Sequence, residues 1–301
     1  MKNWEEEMVT REKMCGPGSG HGSMIGMNDY DSQDYVKPPV KDGYEHIDGE
    51  WYNGFVIERH SDKSQFVWIP VESLNSNGMF GKAWYGEKFG RRIYQIGQTI
   101  RSLDYAIKLD LASKFSKFHE QVTDELALQY ESIKKYGGFY ISRYNISQNN
   151  KNGKPQSIKG ETPWTSINFY DAKKLATTVE ESEELKSHMI YGAEYDSVLE
   201  WFINSGARTR KEVCEDSTEW GNCFRRLAKT GSSEKWCTNN IYDFAGNVSE
   251  WTQEQRGREF RVIRGGNYCI DGSEYPVSYR DWSHPSFDYD CVGFRVALYI
   301  R

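Results

Sequence analysis

Cys269 and Cys291 are the residues of this sequence whose type could support redox chemistry or bind a soft metal. Only a thiolate is nucleophilic, and Cu(I) needs at least two thiolates held together. The two cysteines stand far apart along one C-terminal loop, so the sequence does not present them as a pair. No CxxC pair or His/Cys cluster with zinc spacing occurs. The other candidate ligands are scattered: Cys15, Cys214, Cys223, Cys237, His21, His46, His60, His119, His188 and His284.

The charge and composition of the 301-residue chain exclude some function classes. It has 38 Lys+Arg against 44 Asp+Glu, a formal net charge of −6. No Lys/Arg-dense face is evident, which argues against binding of nucleic acid. Hydrophobic residues make up 38% of the chain and aromatic residues 15%. Such a composition is typical of a loop-rich fold whose aromatic side chains hold loops in place or form a recognition surface.

The cysteines and the N-terminus bear on the compartment. Cys214, Cys223 and Cys237 lie within 24 residues, so one disulfide among them and three reduced thiols both remain open. The first residues, MKNWEEEMVTREKM, are charged and lack an apolar core. They predict no secretory signal and synthesis in the cytoplasm. No apolar run of roughly 18 residues occurs, so we expect no membrane span.

The positions of Gly and Pro and the periodicity of apolar residues predict the helices and strands that position a site. Residues 1–42 are rich in Gly, Ser and Pro and predict a flexible N-terminal arm or linker. Residues 43–301 are predicted to form one domain, with regular structure beginning near Trp51. Strands are predicted in WYNGFVIERH, QFVWIPV and FYISRYNIS, and a loop region at 73–110.

Three helices are predicted in the middle of the chain. The first runs from Thr123 to Tyr136, with acidic residues in its first turn. The second begins at Asn168 or Phe169 and ends at about Val179, and the third covers 193–205. Beyond these helices the sequence predicts few helices, many turns and short strands, including RVIRGGN and VGFRVALYI.

Four stretches in order carry a family resemblance: GGFYISRYNIS (137–147); TPWTSINFYDAKKLA (162–176) with MIYGAEYDSVLEW (189–201); IYDFAGNVSEWT (241–252); and FRVIRGGNY…VGFRVA (260–297). Together they resemble the formylglycine-generating enzyme/sulfatase-modifying-factor family over about residues 50–301. The resemblance implies the fold class: an α+β, C-type lectin-like fold of the formylglycine-generating enzyme type. Such a fold is irregular and loop-rich, with two or three helices and short antiparallel strands.

The resemblance also bears on catalysis. Enzymes of that family use a copper-binding cysteine pair placed shortly after the GG of the fourth stretch. Here only Cys269 lies near that position, slightly displaced, and the next cysteine is Cys291. A related branch uses iron held by three histidines, and no HxxxHxE-like set occurs. We therefore expect a protein that is not an enzyme, with an oxidoreductase acting on a peptide cysteine as the alternative.

The GN-x-x-E stretch has two interpretations. The family's pattern places calcium ligands there, which implies Asn247, Val248 through its carbonyl, and Glu250. Alternatively, Glu250 pairs with an arginine such as Arg264 or Arg295 and braces the core without any ion. Both remain open. We expect that no cofactor is required, and calcium is the candidate ion.

The segment between RGG-N and GFRVAL resembles the variable region of proteins diversified by retroelements. In diversity-generating retroelements, template adenines are miscopied, so AAC and AAT codons scatter into many residues between fixed anchors. The reachable residues include Tyr, Cys, Ile, Asp, Ser, His and Phe but exclude Lys, Glu, Gln, Met and Trp. Within about 267–292 we predict a variable face of thirteen ligand-binding positions, all in the reachable set: Tyr268, Cys269, Ile270, Asp271, Tyr279, Asp281, Ser283, His284, Phe287, Asp288, Tyr289, Asp290 and Cys291.

Interleaved residues are predicted to fix the backbone beneath this face. These framework residues are Gly272, Glu274, Pro276, Arg280, Trp282, Pro285, Gly293 and Phe294. Aromatic rings mixed with Asp, Ser and His at loop tips are typical of paratopes. We therefore expect a binding protein for a protein or surface glycan ligand. The resemblance implies a phage, prophage or bacterial source and association with a virion or a cell surface.

Overall fold

A computed structural model describes residues 37–51, 53–71, 118–119, 123–223 and 225–301. The first 36 residues of the predicted arm and the predicted loop at 73–110 lie outside the described residues. The division into an arm and one domain therefore stays a prediction. Within the described ranges, no helix is both long enough and apolar enough to cross a bilayer.

Four α-helices are present in the described residues, and the three predicted ones are confirmed: α1 (Asp124–Tyr136), α2 (Phe169–Ala176), α3 (Gly192–Asn204) and α4 (Arg210–Cys214), with a 3₁₀ turn at Glu234–Trp236. Side chains cap their first turns, as where Thr123 accepts from Leu126 N in α1. Helix α2 ends earlier than predicted because Thr177 and Thr178 donate their hydroxyls to carbonyls of its last turn.

The short α4 was not predicted. Its signal is the capping box in TRKE, where Thr209 and Glu212 satisfy each other's backbone N–H groups.

The larger sheet has six strands and is antiparallel throughout. Its spatial order is β1 (Tyr44–Asp48), β2 (Val56–Arg59), β3 (Gln65–Pro70), β5 (Gly138–Ser142), β15 (Val296–Ile300) and β8 (Leu185–Met189). Regular structure thus begins before the predicted Trp51. Strand β1 was missed because four of its five residues are exposed, which leaves no alternating apolar pattern at this edge of the sheet.

The second sheet has five strands and carries the C-terminal segment. Its order is β13 (Asp281–Ser283), β12 (Phe260–Arg264), β11 (Ser249–Arg256) and β14 (Val292–Phe294), with β4 (Phe118–His119) also beside β11. Strands β11 and β14 are parallel, and the other pairs are antiparallel. Two small hairpins complete the described strands: β6 (Ser147–Gln148) with β7 (Pro155–Gln156), and β9 (Cys237–Thr238) with β10 (Ile241–Tyr242).

Two predicted strands are interrupted. The stretch VGFRVALYI forms β14 and β15, which belong to different sheets and meet at Arg295. The stretch FYISRYNIS ends as a strand at Ser142, after which Arg143 N donates to Gln65 O and the chain turns away. In both cases a buried arginine marks the break, because its guanidinium must reach polar partners that a sheet ladder does not offer.

The six-stranded sheet lies between two apolar clusters. Alternate residues of β3 divide between them: Val67 and Ile69 pack with α1 and α3, whereas Phe66 and Trp68 pack with α2 and the second sheet. Both faces of this sheet are therefore buried. The second sheet is held against it through Trp251 and Phe294, both 0% exposed. This packing fixes the base from which the segment 267–292 projects.

Candidate functional site

The predicted variable face lies between β12 and β14, and most of its side chains reach solvent. Seven of the thirteen positions are exposed, five are half-buried and one, Ser283, is buried. Tyr279, Phe287 and Tyr289 are 38%, 55% and 39% exposed. These three are among the eight large hydrophobic residues that are exposed in the described part of the chain. Ser283 differs because it lies in β13, where its hydroxyl is 3.0 Å from the Tyr289 hydroxyl.

The framework residues show the opposite distribution. Six of them are buried: Gly272, Pro276, Arg280, Pro285, Gly293 and Phe294. Trp282 is half-buried under the Arg256 guanidinium, and Glu274 is exposed. The predicted variable positions and the predicted framework residues thus separate by burial, with Ser283, Trp282 and Glu274 as the exceptions. Trp282 and Glu274 are also the two framework residues that the reachable set excludes.

Side chains of the variable face contact one another in two groups. His284, Phe287 and Tyr289 form a chain of rings with centroids 5.5 and 6.5 Å apart. In the other group the charges of Cys269, Asp290 and Asp281 all raise the pKa of Cys291, after burial. Both groups lie in the segment 267–292, where twelve of the thirteen predicted positions reach solvent.

The backbone of the segment is fixed by hydrogen bonds to the rest of the protein. Tyr268 N donates to Asn247 O at 2.9 Å, and Ser217 N donates to Gly272 O at 3.1 Å. At the other end Ser249 N donates to Cys291 O at 2.9 Å. The bonds at Tyr268 and Cys291 use main-chain atoms of predicted variable positions, so they do not depend on which side chain is present there, and Gly272 is a framework residue.

Asp271 is a predicted variable position whose side chain also stabilises a turn. Its carboxylate accepts from Ser273 N and from the Thr218 hydroxyl, each at 2.9 Å, and so closes a turn. Those bonds lower the pKa of Asp271. A substitution here therefore changes the turn as well as the surface.

A buried charge network holds the middle of the segment. Arg280 Nε lies 3.0 Å from Glu254 Oε1, and Arg280 Nη2 lies 2.6 Å from Asp196 Oδ2. Arg264 adds two bonds to Asp196 Oδ1, each of 3.0 Å. All four side chains are at most 3% exposed. The network ties the segment to α3 and to β11, so the loop is attached by charge pairs in the interior.

The surroundings shift the pKa values of Arg264 and Arg280 in opposite directions. Burial and the neighbouring Arg280 lower the pKa of Arg264. For Arg280 burial also acts against the charge, but Asp196 and Glu254 outweigh it and raise the pKa. Sequence reasoning did not single out Asp196 or Glu254. The available signal was their charge inside otherwise buried stretches, YDSVLEWF and SEWTQEQ.

The GN-x-x-E stretch is a tight turn that crosses another backbone. Gly246 has φ +72°, and a Cβ there would lie 2.5 Å from Asn222 O, so a larger residue does not fit. Asn247 follows with φ 57°. Gly266 likewise has φ +68° with Tyr275 O 2.8 Å from the position of a Cβ. At both glycines another backbone approaches too closely for a side chain to fit.

Glu250 pairs with an arginine, as one of the two interpretations has it. Its Oε1 accepts from Arg295 Nε at 2.8 Å and from Asn145 Nδ2 at 2.7 Å. Arg264, the other arginine considered, pairs with Asp196 instead. Phe294 and Val296 are buried in the core, and Arg295 between them is also fully buried.

The candidate calcium ligands already have protein donors. Asn247 Oδ1 accepts from Asn222 Nδ2 and from Ala228 N, each at 3.0 Å. A cation at this place would have to displace both donors and lie near the Arg295 guanidinium. No group of three or more His, Cys, Asp or Glu side chains suited to a metal occurs in the described residues. The arrangement fits the ion pair better than a cation, and calcium stays a prediction.

Comparison with known families decides the identity of the chain. A family model described as "Sulfatase-modifying factor enzyme 1-like domain" matches residues 112–300. The chain belongs to this family. The predicted α+β fold class of the formylglycine-generating enzyme type is confirmed by this membership together with the observed helices and antiparallel strands. No curated protein matches the sequence at a significant level.

Several solved structures are similar to parts of this sulfatase-modifying factor enzyme 1-like protein. PvdO from Pseudomonas aeruginosa is 17% identical, with 55% of this chain and 81% of PvdO covered and a TM-score of 0.37. Treponema denticola variable protein 1 is 18% identical, with 54% and 84% covered and a TM-score of 0.36. The Major Tropism Determinant U1 variant is 11% identical, with 81% and 66% covered and a TM-score of 0.35.

The cysteines of this family member are all free in the described residues. No disulfide joins Cys214, Cys223 and Cys237 in this structure. Cys269 is exposed and Cys291 is half-buried, and Cys269 acts on the ionisation of Cys291. Two thiols remote in sequence have been brought into the same part of the variable face.

Asp243 predicts a pH dependence of stability in this family member. Burial raises the pKa of its carboxyl to about 6, although Gly231 N and Arg295 oppose the shift. A raised carboxyl pKa means that the contribution to stability is full below the unfolded pKa and is lost as pH rises through about 6. The variant Asp243→Asn keeps an acceptor for Gly231 N but carries no ionisable carboxyl. We expect it to avoid this fall in unfolding free energy, which amounts to up to about 3 kcal/mol in the wild type.

The measurement is urea unfolding of both proteins between pH 4 and pH 7. The difference between wild type and variant should grow in favour of the variant as pH rises. A difference that stays constant across this range would contradict a buried carboxyl that ionises near pH 6.

Proposed function

We propose that this protein is a non-enzymatic binding protein whose C-terminal face is diversified by a diversity-generating retroelement. The ligand is a protein or a surface glycan bound by the thirteen positions of the variable face. One observation carries the proposal: twelve of those positions reach solvent, while six of the eight interleaved framework residues are buried.

This separation is what a diversified surface requires. Its side chains must change without refolding the chain, so stability has to come from elsewhere. Here it comes from main-chain hydrogen bonds and from the buried Arg280, which is one of the predicted framework residues. The exposed rings of Tyr279, Phe287 and Tyr289 give a partner large rigid contact area at low entropic cost.

Flanking DNA tests the diversification directly. We expect a near-copy of the 3′ segment that has adenines at the first two bases of the thirteen codons, and a reverse transcriptase gene beside it. A locus without such a repeat would overturn the diversification, whatever the protein binds.

The protein itself tests the tolerance of the face. We expect Tyr279→Asn, Phe287→Asn and Tyr289→Asn, combined in one variant, to shift the melting temperature by less than about 3 °C, since exposed substitutions change stability little. The matched control is Phe294→Asn, a framework ring that is 0% exposed. That control should lose at least roughly 3 kcal/mol.

Equal losses in the triple variant and the control would contradict the proposal. They would mean that the exposed rings are part of the folded core.

A second candidate function is an oxidoreductase that acts on a peptide cysteine. The observation that favours it is the closeness of Cys269 and Cys291, both of which are free thiols. Against it stands the chemistry of Cys291, because burial raises its pKa to about 11 and keeps it protonated at neutral pH. A protonated thiol is a poor nucleophile and a poor copper ligand.

Alkylation rates separate the two candidates. At pH 8 about one Cys291 in a thousand carries a thiolate, so we expect iodoacetamide to modify exposed Cys269 long before Cys291. Peptide mass mapping over time gives both rates, and Cys291→Ser confirms the assignment. Rapid modification of Cys291, or one copper ion retained by wild type and lost in Cys291→Ser, would favour the oxidoreductase.

A further inference from the structure

The charge of the segment 267–292 is one-sided. It contains five carboxylates, Asp271, Glu274, Asp281, Asp288 and Asp290, and a single arginine. That arginine, Arg280, is buried and already paired with Asp196 and Glu254. The surface that the segment presents is therefore negative. Two arginines border the segment: the exposed Arg225, whose N donates to Tyr268 O, and the half-buried Arg256, whose guanidinium lies over the Trp282 ring.

Asp281 is the carboxylate of this surface that is most removed from water. It is half-buried in β13, and its Oδ1 accepts from Trp282 N at 2.8 Å. Burial raises the pKa of Asp281, and the Trp282 amide and the charge of Arg256 only partly oppose that rise. A carboxylate with such an incomplete set of neighbours gains more from an arriving cation than a fully hydrated one does.

Aromatic rings stand beside this carboxylate. Tyr279 and Asp281 flank Arg280 in the chain, and because Arg280 points into the interior, its two neighbours lie on the outer side of the segment. The charge of Asp281 also raises the pKa of Tyr275. Tyr275 in turn packs edge-to-face on Tyr279, with ring centroids 4.6 Å apart. Ring faces attract ammonium and guanidinium groups. A carboxylate next to two rings thus combines the two attractions that select a basic side chain.

We propose that the variable face of this chain binds a protein partner that presents lysine or arginine, and that one basic side chain lies against Asp281, Tyr275 and Tyr279. This inference rests on the proposed binding function and adds the chemistry of the partner. Tyr275 is outside the thirteen predicted positions, so the inference also extends the binding surface. A neutral glycan leaves the five carboxylates without complementary charge, and an anionic partner is repelled by them.

The partner is not identified, so the test uses a peptide that carries the basic side chains expected of it. The probe is an N-acetylated octalysine peptide, with the same peptide acetylated on every lysine as the neutral comparison. Binding to the full chain is measured by titration at low and at high salt. We expect octalysine to bind and its neutral form not to bind, and we expect high salt to weaken binding because exposed charges are screened.

Three variants place the binding on the face. Asp281→Asn should weaken octalysine binding about fivefold, and Tyr279→Ala about threefold. Tyr279→Phe keeps the ring and should bind as wild type does. The matched control Glu183→Gln removes the same charge from an exposed position outside the segment, and it should change binding less than about twofold.

Two results would overturn the inference. Equal losses in Asp281→Asn and Glu183→Gln would show general attraction to an acidic protein, and equal binding of the neutral peptide would show no charge selection. Neither result bears on the diversification, which the flanking DNA decides. If the flanking DNA contains a template repeat but the protein does not bind octalysine, the proposed function is kept and only the basic partner is contradicted.

Discussion

Arg280→Met should lower the melting temperature by roughly 6–20 °C, which corresponds to a loss of about 3–5 kcal/mol. Arg280 is the one charged residue of the predicted framework with an interior position, and it bonds Asp196 and Glu254 at once. Removing it leaves two carboxylates in the interior with Arg264 as the remaining guanidinium. Buried charge without compensation is among the most destabilising changes that a single substitution can make.

The matched control is Arg226→Met, an exposed arginine on the loop beside the segment. It should shift the melting temperature by no more than about 2 °C, because surface substitutions change stability by a few tenths of a kcal/mol. A double-mutant cycle of Arg280→Met with Asp196→Asn should show strong coupling, since each change removes the other's charge partner. Additive losses in that cycle would contradict the network.

Arg280→Met should also loosen the segment 267–292 locally, apart from its effect on the stability of the whole fold. Below its lowered melting temperature, Arg280→Met should expose the variable segment to proteolysis, because the network attaches the middle of that segment to α3 and β11. Limited proteolysis with mapping of the cleavage sites would show cuts concentrated in 267–292. Cuts spread evenly over the chain would mean that Arg280 stabilises the whole fold and has no special role for the face.

Arg295→Met should cost a similar amount, about 3–5 kcal/mol. Arg295 lies at the junction of β14 and β15 and is 0% exposed. Its guanidinium donates to Glu250 Oε1, to Ser142 O at 2.6 Å and to Tyr242 O at 2.9 Å. The variant loses all three bonds and leaves Glu250, which is 1% exposed, without its counter-charge.

The loss in Arg295→Met should increase with pH. Burial raises the pKa of Glu250, and Arg295 is the largest opposing influence. Without Arg295 the pKa rises further, so Glu250 stays neutral at low pH and must ionise in the interior, or remain protonated at a cost, as pH rises. Unfolding free energies at pH 5 and pH 8 should therefore differ more in the variant than in wild type. A pH-independent loss would contradict the pairing.

The same melts test calcium. If Asn247, Val248 and Glu250 hold an ion, a chelator should lower the melting temperature of the wild type, because a ligand that binds the folded state stabilises it. The observed pairing of Glu250 with Arg295 predicts an unchanged midpoint. A melting temperature that falls on chelation and recovers on addition of calcium would contradict this prediction and show that the ion is bound.

Much of the architecture could be predicted because local patterns report it. Helix α1 followed from the acidic first turn and the spacing of Leu126, Tyr130 and Ile133, which all pack into one apolar cluster. Strand β1 and helix α4 were missed. The first is an edge strand with little burial, and the second is a single short turn defined by its cap.

The sequence by itself determined the family motifs and the order of the main elements, and it predicted which positions of 267–292 are mutable and which are fixed. Those features are local: codon chemistry, glycine turns and apolar periodicity are all written within a few residues. The tertiary structure decided which charges meet. Asp196 and Arg280 are 84 residues apart, and Glu250 and Arg295 are 45 apart. Pairing over such separations depends on how β-sheets and α3 pack, which no local pattern specifies. For the same reason only the fold could show that twelve of the thirteen predicted positions reach solvent.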